Sequence, residues 1–150
     1  MLDRRSFMHL QQEGENYIVT FTRDDRRPVT EACRELIYRV AVDAHTPNER
    51  FYYDHDAEAV VALSRVAIHA NMHPGEALPL NAFELNAFEI ALTRFSSMEE
   101  TKKAVDEDVA RAGVMANPRI EARVDLGQRA LGILGDLKEQ KDALVDQAAA

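Results

Sequence analysis

Leu126-Gly127-Gln128-Arg129-Ala130-Leu131-Gly132-Ile133-Leu134-Gly135-Asp136-Leu137 is the stretch on which the fold turns. Within it and just beyond, Leu126, Ala130, Ile133, Leu137 and Leu144 recur at alternating four- and three-residue steps, the last step doubled, and charges fill most other positions from Lys138 onward. Side chains three and four apart share one face of an α-helix, so this recurrence is an apolar stripe. Asn117 as N-cap and Pro118 at the first helical position open the helix, because the N–H that proline lacks has no intrahelical partner there. From that start the segment reads as one long helix reaching residue 149.

Two packings suit the stripe: a two-stranded coiled coil or a helix donated to a partner, and a terminal helix laid on its own domain. Gly127, Gly132 and Gly135 each weaken an autonomous helix by about 1 kcal/mol relative to Ala. They also suit close helix approach. Leu126, Ala130, Ile133, Leu137 and Leu144 are accordingly the candidate partner-binding residues, including those of a homodimer built on this helix.

Upstream, the same periodicity yields more helices. Pro28 and Thr30, with Thr30 as N-cap, open a helix whose Cys33, Leu36, Ile37, Val40, Ala41 and Ala44 share a face. It should end near His45, since Pro47 disfavours helical geometry at Thr46. A second helix starts around Asp54 or Asp56 and ends at His73-Pro74-Gly75. It carries one apolar face of Ala59, Leu63, Val66, Ala67 and Ala70, and nearly opposite lies another of Val61, Ile68 and Met72, which predicts a helix sandwiched between neighbours. Asn81 and Glu84 have capping-box spacing and open a third helix running to about Phe95. Ser97 and Glu100 repeat that spacing for a fourth, a charged surface helix with the thin stripe Met98, Val105 and Val109, ended by Gly113.

The first 27 residues differ. Tyr17 to Thr22 is β-branched and aromatic, and Phe7 to Leu10 is its expected partner, with Gly14 in the connecting turn. A two-stranded hairpin is marginal in water and must pack on the helices. The expected fold is therefore mainly α: four to five helices around one core, a short N-terminal β-hairpin and a long C-terminal helix. It is organised as a single domain with a hairpin-like segment (1–27), a helical core (28–113) and the last helix (117–150).

Composition narrows function by exclusion. Among 150 residues, 18 Lys and Arg face 26 Asp and Glu, a net charge of −8. Nonspecific binding to nucleic acid or to an anionic membrane needs clustered positive charge, so neither is expected, and a partner with a basic surface is more natural. Arg23, Arg26 and Arg27 cluster but are interrupted by Asp24 and Asp25. No apolar run approaches the roughly 20 residues of a membrane span, and Met1-Leu2-Asp3-Arg4-Arg5 leads into no signal-like stretch, so the expected location is the cytoplasm. The single cysteine, Cys33, forbids an internal disulfide and fits a reducing compartment.

Chemistry has few footholds. His69 and His73 lie four apart on the second helix, so both imidazoles can reach one ion, and they are the candidate metal ligands. Ala70 stands where an HExxH motif has its glutamate, and Asp54, His55 and Asp56 lie roughly 20 Å away along the helix. Glu58, Arg65, His69 and His73 fall within about 80° of one another at 3.6 residues per turn, a polar stripe that is either an acid–base flank or a solvated edge with a Glu58–Arg65 contact. There is no nucleophile elbow around Ser64, Ser96 or Ser97 and no phosphate-cradling glycine loop, and Cys33 falls on an apolar face. No cofactor is expected. The expectation is a non-enzymatic protein-binding module, an adaptor, inhibitor or regulator of the acidic kind common among bacteriophage and mobile-element products. The alternative is a small metal-dependent or acid–base enzyme working on the His69/His73 flank.

Overall fold

The structure is a computed structural model that describes residues 8–43, 53–113 and 117–149. In chain order the elements are β1 (His9–Glu13), β2 (Asn16–Thr20), a 3-10 turn (Arg23–Asp25), α1 (Arg26–Asp43), α2 (Tyr53–Met72), β3 (Ala77–Leu80), α3 (Ala82–Ser96), α4 (Met98–Ala112) and α5 (Asn117–Ala149). The mainly α class, the five helices and the long terminal helix match expectation.

The sheet is larger than the hairpin expected. Its order is β1-β2-β3, antiparallel throughout. β1 runs to Glu13, past the expected Leu10, because Gly14 at φ 62° allows a tight turn directly into Asn16; Phe7 lies outside the described residues. β3 is hidden in sequence by Pro79, which is tolerated because β3 is an edge strand and needs no N–H there. Leu10, Val19 and Leu78 pair across the three strands and are all buried, and Leu80 joins them, so one sheet face is apolar and must be covered. α3 covers β2 and β3, and α5 covers β1. Phe21, just past β2, meets Phe88 of α3 edge to face at 5.6 Å and 82°.

Two helix expectations need correction. α1 begins at Arg26, ahead of Pro28 and Thr30, because the chain is capped further upstream: Asp25 Oδ2 accepts from Thr22 N at 2.7 Å and from Thr22 Oγ1 at 3.0 Å. Pro28 still falls in the first turn, where its missing N–H is harmless, while Thr30 is no cap and its buried Oγ1 has no partner. The expected end near His45 lies outside the described residues. α2 is not sandwiched: its Leu63, Val66 and Ala70 face is buried against α1 and α3, but Val61, Ile68 and Met72 are left exposed. Met98 and Val109 of α4 are 84% and 48% exposed, in keeping with the surface helix expected.

The Asn81–Glu84 capping box forms as read. Glu84 N donates to Asn81 Oδ1 at 2.8 Å and Asn81 N donates to Glu84 Oε1 at 3.0 Å. The side chains of Asp54, Glu100, Asn117 and Pro118, assigned to other helix starts, lie outside the described residues. Beyond α3, α5 approaches closely enough that a Cβ on Gly127 would sit 3.0 Å from Arg123 Nη1 and 3.3 Å from the Phe95 carbonyl. Gly127 therefore serves close approach, whereas a Cβ on Gly135 would meet nothing within 4 Å.

Candidate functional site

The α5 stripe, expected to meet a partner, is used inside the chain. Leu126, Ala130, Ile133 and Leu137 are buried in the core, and Leu144 packs half-buried against it. The stripe is therefore no free surface, because α5 lies against α3, α1 and β1. Polar side chains fasten the same helix. Arg123 grips Glu35 of α1 with two hydrogen bonds of 3.0 and 2.9 Å while its guanidinium stacks 3.7 Å above the Phe95 ring. Gln140 pairs with the free edge of β1 as a neighbouring strand would: Leu10 N donates to its Oε1 at 2.7 Å, and its Nε2 donates to the Met8 carbonyl at 2.9 Å. Lys141 reaches Glu89 of α3 at 3.1 Å.

The α2 flank does a related job at the opposite sheet edge. Arg65 donates to the Pro79 carbonyl at 2.8 Å and to Glu84 Oε2 at 2.7 Å, so its partner is Glu84 on α3 in place of the expected Glu58. His69 Nε2 lies 2.8 Å from the Glu76 carbonyl, an atom that only accepts, so the ring proton sits on Nε2. His73 Nδ1 lies 2.9 Å from Glu76 Oε2, and the two imidazole rings stand 5.6 Å apart. With Pro79 lacking an N–H and its carbonyl taken by Arg65, the β3 edge has little left to offer another strand. The stripe of Arg65, His69 and His73 is thus brought together as sequence spacing required. What holds it together is the edge of β3, and no group of three His, Cys, Asp or Glu side chains suited to a metal occurs among the described residues.

Among the described residues, Ser64 and Ser96 are hydrogen-bonded within their own helices and Cys33 is buried. Ser64 Oγ donates to the Val60 carbonyl at 2.7 Å, Ser96 Oγ to the Thr93 carbonyl at 3.2 Å, and burial pushes the Cys33 thiol far up from its usual range. One carboxylate is unusual: Asp25, 1% exposed, is pushed up to about 6 by burial, against the lowering effect of its Thr22 hydrogen bonds, and its Oδ1 has no partner.

Two open apolar features stand out among the described residues. The first is the outer face of α2, where Val61, Ile68 and Met72 are 68%, 61% and 66% exposed. They recur at seven- and four-residue steps, which keeps them on one line of the helix. Beside them runs a shallow groove of about 490 Å³ bordered by Val61, Arg65, Ile68, His69 and His73. The second is a cleft of about 320 Å³ between α1, α2 and α3, walled by Leu36, Val40, Ala59, Phe83, Ala87 and Ile90. The α2 face was visible in sequence as a second apolar stripe. The cleft was not, since its walls come from three helices and each wall looks like ordinary core. Comparison of the chain with family models, curated proteins and solved structures returns no match.

Proposed function

We propose that this chain is a non-enzymatic protein-binding module, an adaptor, inhibitor or regulator, which meets its partner through the outer face of α2. One observation carries the proposal: Val61, Ile68 and Met72 stand more than 60% exposed in a line on a helix whose other apolar face is anchored in the core. A rigid apolar line in water favours whatever covers it, by about 1.5–3 kcal/mol for each such side chain fully buried. Glu58, one helical turn before Val61, is exposed, and the chain carries a net charge of −8, although Arg65, His69 and His73 line the groove beside the line. The partner that fits presents apolar side chains bordered by lysine or arginine, so that charge steers the encounter while apolar contact holds it. An acidic blocker of host machinery, of the kind bacteriophage and mobile elements encode, would use such a surface. The enzyme alternative has less support, because the hydrogen bonds of Arg65, His69 and His73 are engaged at the β3 edge and the Glu76 carboxylate.

Photo-cross-linking tests this in cells that make the protein. A cross-linking residue at Met72 should trap one discrete partner, and Val61→Asp with Ile68→Asp should abolish that adduct while circular dichroism stays unchanged. A cross-linker at Lys138, exposed on α5, should not trap it. Identical adducts from Met72 and Lys138, or an adduct indifferent to the two aspartates, would overturn the assignment. A self-adduct would make the partner a second copy, joined through α2 and not through α5.

A further inference from the structure

The cleft between α1, α2 and α3 lies apart from the line of Val61, Ile68 and Met72 and has a chemistry of its own. Its floor is α3, which lays Phe83, Asn86, Ala87, Ile90 and Arg94 along the cleft at steps of three, one, three and four residues. Eleven residue steps of helix make a trough roughly 16 Å long. Phe83 and Ile90 keep 39% and 42% exposure beside the buried Ala87, because the cleft leaves their flanks wet. The volume of about 320 Å³ is that of a small-ligand site and not of a packing defect.

The two ends differ in charge. At one end stands Arg94, exposed and with no ion-pair partner among the described residues. Glu35, which shares a small cavity with Arg94, is held by Arg123 and so does not match it. At the other end Asp56 lies beside His55, whose ring faces Phe83 at 6.3 Å. In a chain of net charge −8, a cation left unmatched at the mouth of an apolar trough is selective for a negative head, and Asp56 repels that head from the far end.

We infer that the cleft binds a free, medium-chain alkyl carboxylate, with its carboxylate on Arg94 and its chain running along Ala87, Ile90 and Phe83 toward His55. The inference is independent of the partner surface on α2. It is tested by titrating the full chain, followed by amide NMR, with decanoate and separately with decanol. Decanoate should give saturable shifts at Ala59, Ala87, Ile90 and Arg94. Arg94→Gln should weaken decanoate roughly threefold to tenfold, the range of an exposed charge-assisted contact, and leave decanol unchanged. Ala59→Phe should remove binding of both, and Val61→Asp with Ile68→Asp should affect neither. Absence of saturable shifts with decanoate would overturn the site. Equal weakening of both probes by Arg94→Gln would overturn the carboxylate. Because Arg94 is exposed, its glutamine variant should keep its fold and decides the matter even if the filled cleft does not.

Discussion

α2 and α5 are both amphipathic helices with apolar residues at helical spacing, and they end in opposite situations. The α5 stripe is sealed beneath α3, α1 and β1, while the second stripe of α2 faces water. Periodicity states that a face is apolar and is silent about what covers it. Coverage depends on how many neighbours the rest of the chain supplies, and around α2 they are used up on one side. The polar contacts named above follow the same division: those of Arg123, Gln140 and Lys141 on α5 are partly buried and reach across 52 to 132 residues of sequence, whereas the Arg65 and His69 contacts of α2 are exposed and close within 19.

The contrast is broken most directly by charge insertion. Ile133→Asp or Leu137→Asp should cost about 4 kcal/mol or more by urea denaturation, since each side chain is fully buried and the carboxylate would find no partner. Val61→Asp and Ile68→Asp on α2 should each stay within about 0.5 kcal/mol of the parent. A large loss from the α2 pair would mean that its line is covered after all.

Next in size is the buried acid beside Arg129 of α5, which donates to the Asp24 carbonyl at 2.7 Å. Asp25 has its pKa raised from 3.8 to about 6, so the folded protein holds a proton that the unfolded chain releases between those values. Its stabilisation is complete below pH 3.8 and is lost as pH rises through about 6. Between pH 3.5 and pH 7.5 the parent should lose up to about 3 kcal/mol relative to Asp25→Asn, whose amide cannot ionise. Parallel pH profiles for the two proteins would show that Asp25 ionises freely in the fold.

The two edge clamps sharpen the comparison further. Gln140→Ala strands Leu10 N and the Met8 carbonyl in a partly buried setting and should cost about 1–3 kcal/mol. Arg65→Ala should cost less than about 1 kcal/mol, because water can replace its contacts at an exposed edge. The smallest effects come from two glycines of α5. Gly135→Ala should stabilise by roughly 0.5–1 kcal/mol, and Gly127→Ala should destabilise, since Arg123 is pinned between Glu35 and Phe95 and cannot yield easily. Thermal melts of the pair should move in opposite directions.

Legibility followed sequence distance. The Asn81–Glu84 box, the five helices and the Tyr17–Thr20 strand rest on contacts within a few residues, and local pattern was enough. β3 escaped because Pro79 argues against a strand unless its neighbour is known to lie on one side only. The start of α1 was misplaced because Thr30 is as good a cap as Thr22 until Asp25 is seen to turn back. At the candidate sites the residues were visible and their surroundings were not. Arg65 and His69 looked like solvated or catalytic groups because Pro79 and Glu76, the backbone that receives them, were not known to lie beneath.

The bond between Gln140 and β1 also has a meaning in time. A chain emerging in sequence order makes β1 among its first described residues, yet the group that closes that strand's outer edge arrives 130 residues later. During synthesis the hairpin waits with its edge open and its apolar face uncovered by α5. Contacts of such long sequence separation make folding slow to commit and nearly all-or-none. Until the last helix is released, the outer edge of β1 is a row of backbone groups on which another strand can pair.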